Sequence, residues 1–299
     1  MQRIRSGQCW VFVLAGGEGS RLRSLTTTAD GISVPKQFCS LHGGWSLLRD
    51  ALDRSKSVAA PERIRAIVAA QHLRWWSRCL TRAQIKHAVV QPANCGTACG
   101  VLLPLLMTLA RDPDCTVVVL PSDHHVDDEA TLASTLREAV AAVGRHPESV
   151  LMLGVEPEDS DPELGYIVPG SSTADGIAAV DAFVEKPDAI RAGDLIRRGA
   201  LWNSFILVAR GPALLGLFER GAPALLQQMR QALELEKHGA HGSQPVKDLY
   251  RNMAPLDFSR HILSGQESHL RVIKVPHCGW SDLGTPRSVA ATLRRLEDF

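Results

Sequence analysis

The chain has 299 residues, 45% of them hydrophobic and 22% charged, enough to bury a full core as one large domain or two small ones. Its 33 Lys and Arg residues against 32 Asp and Glu leave a net charge of +1, so no global field marks a nucleic-acid or anionic-membrane surface, and an anion site has to be built locally. The seven cysteines (Cys9, Cys39, Cys79, Cys95, Cys99, Cys115 and Cys278) are odd in number and scattered, which favours a reducing, cytoplasmic setting.

Met1 to Ala15 imitates a secretion signal, with Arg3 and Arg5 ahead of an apolar stretch, but no small-x-small cleavage site follows. Trp10 to Ala15 is better explained as a buried strand. In chain order the expected elements are then a helix over Ser46 to Ser57, a strand over Ile64 to Ala70, a helix over Thr97 to Ala110 and a strand over Thr116 to Leu120. A helix over Glu129 to Val143 and strands at Val150 to Val155, Val180 to Val184, Phe205 to Ala209 and Leu270 to Val275 follow. Glu236 to Gln244 reads as a surface loop. Thr285 as N-cap and Pro286 at the first helical position open a last helix through Val289, Leu293 and Leu296. Strands that are apolar throughout and separated by helices predict an α/β protein, a Rossmann-like, mostly parallel twisted sheet with helices on both faces. In such a sheet ligands sit at the carboxyl ends of strands.

Four of those ends carry chemistry: Gly16-Gly17-Glu18-Gly19-Ser20-Arg21, Pro121-Ser122-Asp123, Glu185-Lys186-Pro187 and Gly279-Trp280-Ser281-Asp282. Gly16, Gly17 and Gly19 let the backbone approach a phosphate, and Arg21 adds a forked charge. Leu22 stands where a dinucleotide fingerprint has its third glycine, and no Gly-Lys-Ser/Thr follows as in a P-loop. A tight strand-to-helix turn is the plain alternative for the glycines, a solvated surface lysine for Lys36, and turn or cap positions for Asp123 and Asp282.

Leu14-Ala15-Gly16-Gly17-Glu18-Gly19-Ser20-Arg21-Leu22 followed by Pro35-Lys36-Gln37-Phe38 resembles the signature of sugar-1-phosphate nucleotidyltransferases, in particular the mannose-1-phosphate guanylyltransferases. Gln91-Pro92-Ala93-Asn94, Gly96-Thr97-Ala98, Pro121-Ser122-Asp123, Val184-Glu185-Lys186-Pro187, Trp202-Asn203 and Trp280-Ser281-Asp282-Leu283-Gly284 continue the likeness in the same order, over nearly the whole chain. The resemblance implies the nucleotide-diphospho-sugar transferase fold and transfer of a nucleoside monophosphate from an NTP, GTP favoured, to a sugar 1-phosphate. It assigns Gly16, Gly17, Gly19, Gln91, Gly96 and Thr97 to the nucleotide, and Gly165, Glu185, Lys186 and Asn203 to the sugar phosphate. Arg21 and Lys36 would act on the reacting phosphates, and Asp123 and Asp282 would hold Mg2+, a hard cation that prefers such oxygens. His124 and His125 next to Asp123 suggest loop packing rather than a base or zinc site, because the reaction needs no base.

Three departures stand out: Cys95 where relatives commonly carry a basic residue, Phe205 where many have glycine, and the shortened Gly-Tyr block Leu164-Gly165-Tyr166-Ile167. A uridylyl or thymidylyl transferase acting on glucose 1-phosphate would use the same machinery, and a non-catalytic nucleotide-sugar-binding regulator is the alternative from another class. The expected organisation is a single nucleotidyltransferase domain over residues 1–299, its N-terminal part for the nucleotide and its later part for the sugar phosphate, without an added isomerase or β-helix domain. No nucleic-acid or membrane partner is expected, and a homo-oligomer is compatible with the sequence.

Overall fold

Side-chain alternation along the first strand decides the layering. In β1 (Trp10–Ala15), Val11 and Val13 enter one apolar cluster with Leu48, Leu52, Leu132 and Leu136, while Phe12 enters a second with Leu102, Leu105, Leu214 and Leu217. Each such fully buried leucine contributes about 1.5–3 kcal/mol, so neither face of the sheet can be left bare. The computed structural model describes residues 9–41, 43–237 and 244–297. The leader-like residues 1–8 and most of the expected loop at Glu236 to Gln244 lie outside them.

The remaining strands are β2 (Ile64–Ala69), β3 (Val89–Gln91), β4 (Thr116–Pro121), β5 (Val150–Val155), β6 (Gly165–Ser172), β7 (Ala178–Glu185), β8 (Leu201–Arg210) and β9 (Leu270–Val275). The helices are α1 (Arg23–Thr26), α2 (Leu47–Ser55), α3 (Leu73–Cys79), α4 (Arg82–His87), α5 (Gly96–Leu109), α6 (Glu129–Ala142), α7 (Ala189–Arg197), α8 (Gly211–Gly221), α9 (Pro223–Lys237), α10 (Pro245–Asn252) and α11 (Pro286–Glu297). Among the described residues no helix is long and apolar enough to cross a membrane. At the start of α11 the Ser288 N–H donates to Thr285 Oγ1 at 3.1 Å, which is the expected cap.

The strands join in the order β3-β2-β1-β4-β8-β5-β9-β7-β6, and β6 also pairs with β8. The α/β class is as expected. Parallel pairing, however, is confined to β1 with β2 and β4, β2 with β3, and β5 with β9. β8 runs antiparallel to β4, β5 and β6, and β7 runs antiparallel to β6 and β9. Burial on both faces makes an antiparallel strand such as β8 as apolar as a parallel one, so its direction leaves no mark in the sequence. The reversal places the site: Asn203, near the start of β8, lies opposite Gly154 near the carboxyl end of β5.

Candidate active site

Gly16, Gly17 and Gly19, directly after β1, line a cavity of about 570 Å³ together with Gln91, Gly96, Thr97 and Asp123. Gly19 has φ +62°, and a side chain there would begin 2.8 Å from the Lys36 backbone nitrogen, so the turn requires glycine. Gln37, 2% exposed, donates from Nε2 to the carbonyls of Ala15 (3.0 Å) and Gly17 (2.8 Å) and holds the loop from beneath. Glu18 accepts from Gln71 at 2.9 Å and lies 3.3 Å from His72 Nε2. Burial alone would push its carboxyl up, but Gln71 and His72 hold it below the usual value. The loop is therefore shaped by protein partners on both flanks.

Lys36 opens a short 3-10 turn (Lys36–Phe38) and is 7% exposed, which rules out a solvated surface lysine. Its Nζ donates to the Asp282 carbonyl at 2.6 Å and the Leu283 carbonyl at 3.2 Å and pairs with Asp123 Oδ2 at 3.0 Å. Three acceptors use all three ammonium donors. Loops after β1, β4 and β9 thus meet on one cation. Burial would raise the Asp123 carboxyl, but the charge and hydrogen bond of Lys36 hold it below its ordinary value. His124 packs edge-on to Trp280 at 5.1 Å, and burial pushes its imidazole down to about 3, so it is neutral. His125 Nε2 lies 2.8 Å from Asp127 Oδ1.

Asp282 differs from Asp123. Burial raises its carboxyl, and the Gly284 N–H (2.9 Å), Lys36 and Arg21 offset that cost only in part. A buried carboxylate left under-neutralised suits a cation. Among the described residues no group of three or more His, Cys, Asp or Glu side chains is placed to hold a metal ion.

The sugar-side residues gather through strand pairing. Gly165 lies opposite Glu185, and Tyr166 opposite Trp202, the neighbour of Asn203. A side chain on Gly165 would begin 2.6 Å from Glu185 Oε2 and 3.3 Å from Asn203 Cβ, so these three residues are in contact. Burial and the nearby Asp257 push the Glu185 carboxyl up to about 7, against the lowering influence of Lys186, Arg260 and Ser259. Lys186 (φ +49°), Phe205 (φ +58°) and Leu283 (φ +48°) are left-handed without being glycine, and each adjoins or belongs to this cluster of loops. Such strain collects where surrounding structure fixes a site.

Arg21, Lys36, Asp282 and the four sugar-side residues are not on the wall of the glycine-lined cavity. Asp282 instead lines a neighbouring cavity with Glu163 and Trp280. Glu163 joins the two sides: its Oε2 lies 3.0 Å from Arg21 Nη1 and 3.9 Å from Lys186 Nζ. Sequence reasoning gave Gln37 no role and missed Glu163 and the segment Pro255 to His261, which lines the glycine-lined cavity beside Phe205, with the Phe258 and Phe205 rings 5.8 Å apart. Phe258 N donates to Thr97 Oγ1 at 2.7 Å and Ala98 N to the Leu256 carbonyl at 3.1 Å, so the start of α5 is occupied by this segment. The one available signal was the polar run around Asp257 and Arg260, which had no motif to attach it to the site.

The Nucleotidyl transferase family matches residues 11–298. The chain is 29% identical over 276 residues to Xanthan biosynthesis protein XanB of Xanthomonas campestris pv. campestris (strain B100), covering 91% of this chain and 57% of that protein. It is 27% identical over 285 residues to Mannose-1-phosphate guanylyltransferase RfbM of Salmonella typhimurium, covering 91% and 56%. The chain therefore spans little more than half the length of these relatives. A crystal structure described as mannose-1-phosphate geranyltransferase from Thermus thermophilus superposes with a TM-score of 0.80 at 26% identity, over 95% of this chain and 79% of that one.

Proposed function

The chain belongs to the nucleotidyl transferase family, and on that premise we propose that it transfers GMP from GTP to mannose 1-phosphate, forming GDP-mannose and releasing pyrophosphate. The observation that carries this reading is Lys36, which ties Asp123 on the glycine-lined cavity to the Asp282 loop beside the sugar-side residues. The relatives named for mannose 1-phosphate supply the acceptor, and RfbM, named a guanylyltransferase, supplies the base.

In the reaction an oxygen of the sugar 1-phosphate attacks the α-phosphorus of the NTP. The new P–O bond forms as the bond to the β-phosphate oxygen breaks, and pyrophosphate leaves with that electron pair. Both reactants are already anionic, so the protein has to hold two repelling phosphates in line and neutralise the charge that develops. Backbone N–H groups of the Gly16 to Gly19 loop would hold the triphosphate, with Arg21 at its outer end. Lys186 would meet the sugar phosphate, and Glu185, Asn203 and the Gly165 backbone the hydroxyls. Mg2+ bound at Asp123 and Asp282 would supply charge neutralisation for the phosphates. Residues 1–299 form a single nucleotidyltransferase domain in this proposal, and the seven free thiols support a reducing, cytoplasmic setting.

A matrix of four NTPs against mannose, glucose and other hexose 1-phosphates, read by pyrophosphate release, tests it. GTP with mannose 1-phosphate should be the best pair. A preference for UTP or dTTP would replace the substrates and keep the reaction, and no release from any pair would end the reading.

A further inference from the structure

Gln91, at the end of β3, is 3% exposed and lines the glycine-lined cavity. Its side-chain amide has two faces with opposite hydrogen-bonding character, an acceptor Oε1 and a donor Nε2, and a free amide can turn to suit either kind of base edge. Here the amide has a neighbour. Tyr250 of α10, 2% exposed, directs its hydroxyl at Gln91 Oε1 at 3.3 Å. A buried phenol needs an acceptor for its hydrogen, and Gln91 Oε1 is the one the structure gives it. With the amide reversed, the NH2 group would face the hydroxyl and the phenol hydrogen would have nowhere to go. Nε2 is thereby turned toward the glycine loop, where a side chain on Gly16 would begin only 2.9 Å from it.

The anchor itself is fixed. The Cys95 thiol donates to the Tyr250 carbonyl at 3.3 Å, and the Leu256 N–H donates to the Cys95 carbonyl at 3.1 Å, so α10 and the segment after it are stitched to the start of α5.

We propose that Tyr250 is a positioning residue that locks the polarity of the Gln91 amide, so that the cavity selects bases presenting a carbonyl beside a ring N–H over bases presenting an amino group beside a bare ring nitrogen. Guanine offers the 6-oxo group and N1–H, which match the donor Nε2 and the second lone pair of Oε1. Uracil and thymine offer the same order through the 4-oxo group and N3–H. Adenine and cytosine offer the reverse and meet donor with donor. The proposal rests on the nucleotide reading of this cavity and deepens it, since it states why a base-blind glutamine would discriminate.

The test is nucleotide binding to the full chain with magnesium and no sugar phosphate, followed by calorimetry. In the unaltered protein GTP and ITP should bind roughly a hundredfold more tightly than ATP and 2-aminoadenosine triphosphate, because the group at position 6 decides and the 2-amino group does not. In Tyr250→Phe, which removes one hydroxyl, the GTP-to-ATP ratio should fall about tenfold as the amide becomes free to turn. A residue that only filled space would leave that ratio unchanged in a variant that still melts cooperatively, and that result would overturn the lock. So would an unaltered protein whose affinity follows the 2-amino group or favours ATP. If Tyr250→Phe does not fold, the same ratio is read in Tyr250→Met, which also lacks the hydroxyl, and an unchanged ratio there overturns the lock. Pyrophosphate release is measured separately: its absence with every sugar 1-phosphate would remove the proposed reaction, while a position-6 preference in binding that falls in Tyr250→Phe would still uphold the lock.

Discussion

All three Lys36 N–H groups point at protein oxygens, so this lysine holds the site together before any phosphate arrives. Lys36→Met keeps the apolar stem but leaves the Asp282 and Leu283 carbonyls without their donor and Asp123 without its counter-charge. We expect a loss of about 1–3 kcal/mol in denaturant unfolding, together with at least a hundredfold drop in kcat. Unchanged stability would mean that the ammonium faces solvent. The importance of Lys36 was legible from Pro35-Lys36-Gln37-Phe38, but its partners were not, because main-chain acceptors leave no trace in a sequence. The same holds for Gln37, whose two acceptors are carbonyls of the glycine loop. Glu185 supplies a pH-dependent prediction. Its carboxyl is raised from 4.5 to about 7 by burial first and Asp257 second, with Lys186 and Arg260 opposing, so the folded protein holds this proton more tightly than the unfolded chain. Its contribution to stability is therefore full below about pH 4.5 and is lost as the pH rises through about 7. The unfolding free energy of the unaltered protein minus that of Glu185→Gln should fall across this window by up to about 3 kcal/mol. A flat difference would place Glu185 in water. Acceptor binding should run the other way, since only the ionised carboxylate is acceptor-only, and the KM for sugar 1-phosphate should rise as the pH drops below about 7.

The segment Pro255 to His261 and the start of α5 form a base-side wall from two distant stretches of chain, and Gly96 is where they touch. Gly96 has φ +85°, and a side chain there would begin 2.2 Å from the Leu256 carbonyl oxygen, a backbone atom with no room to give. Gly96→Ala should therefore cost about 2–3 kcal/mol and push Leu256 outward, raising the KM for NTP more than the KM for sugar 1-phosphate. Equal rises in both would show that the wall is not specific to the nucleotide. Gly96 and Thr97 were legible as a nucleotide block, but the element that packs on them was not, because nothing local in Pro255 to His261 points back to so distant a part of the chain. Strand content divides the same way. β1, β4 and β5 are six-residue runs that are almost wholly apolar, and β9, also six residues, keeps four apolar positions around Arg271 and Lys274; all four were read as strands. β3 has three residues, too few for a period, and β6 carries Gly165, Pro169 and Gly170, which read as punctuation. β8 begins at Leu201, ahead of the expected Phe205, because Trp202-Asn203-Ser204 looks polar until the Ser204 hydroxyl is seen donating to the Leu153 carbonyl at 2.6 Å.

At the scale of the whole molecule, the sheet carries residues far apart in the chain to one edge, and the antiparallel β8 extends that edge from the nucleotide side to the sugar side. Asp123 and Asp282 are the clearest instance: they follow β4 and β9, strands that are not neighbours in the sheet, and both reach Lys36, one through its carboxylate and the other through its main chain. Their motifs were readable separately, but their shared cation was not, since it depends on how far two loops travel beyond their strands. If both carboxylates serve one metal ion, their effects on turnover cannot multiply. Asp123→Asn and Asp282→Asn should each lower kcat at fixed magnesium by about 10²–10³, and the double variant should fall less than about tenfold below the worse single one, because the first substitution has already released the ion. Raising magnesium should recover part of the activity of each single variant and little of the double. Losses that multiply, with no response to magnesium, would separate the two carboxylates and leave Asp123 as the counter-ion of Lys36 alone.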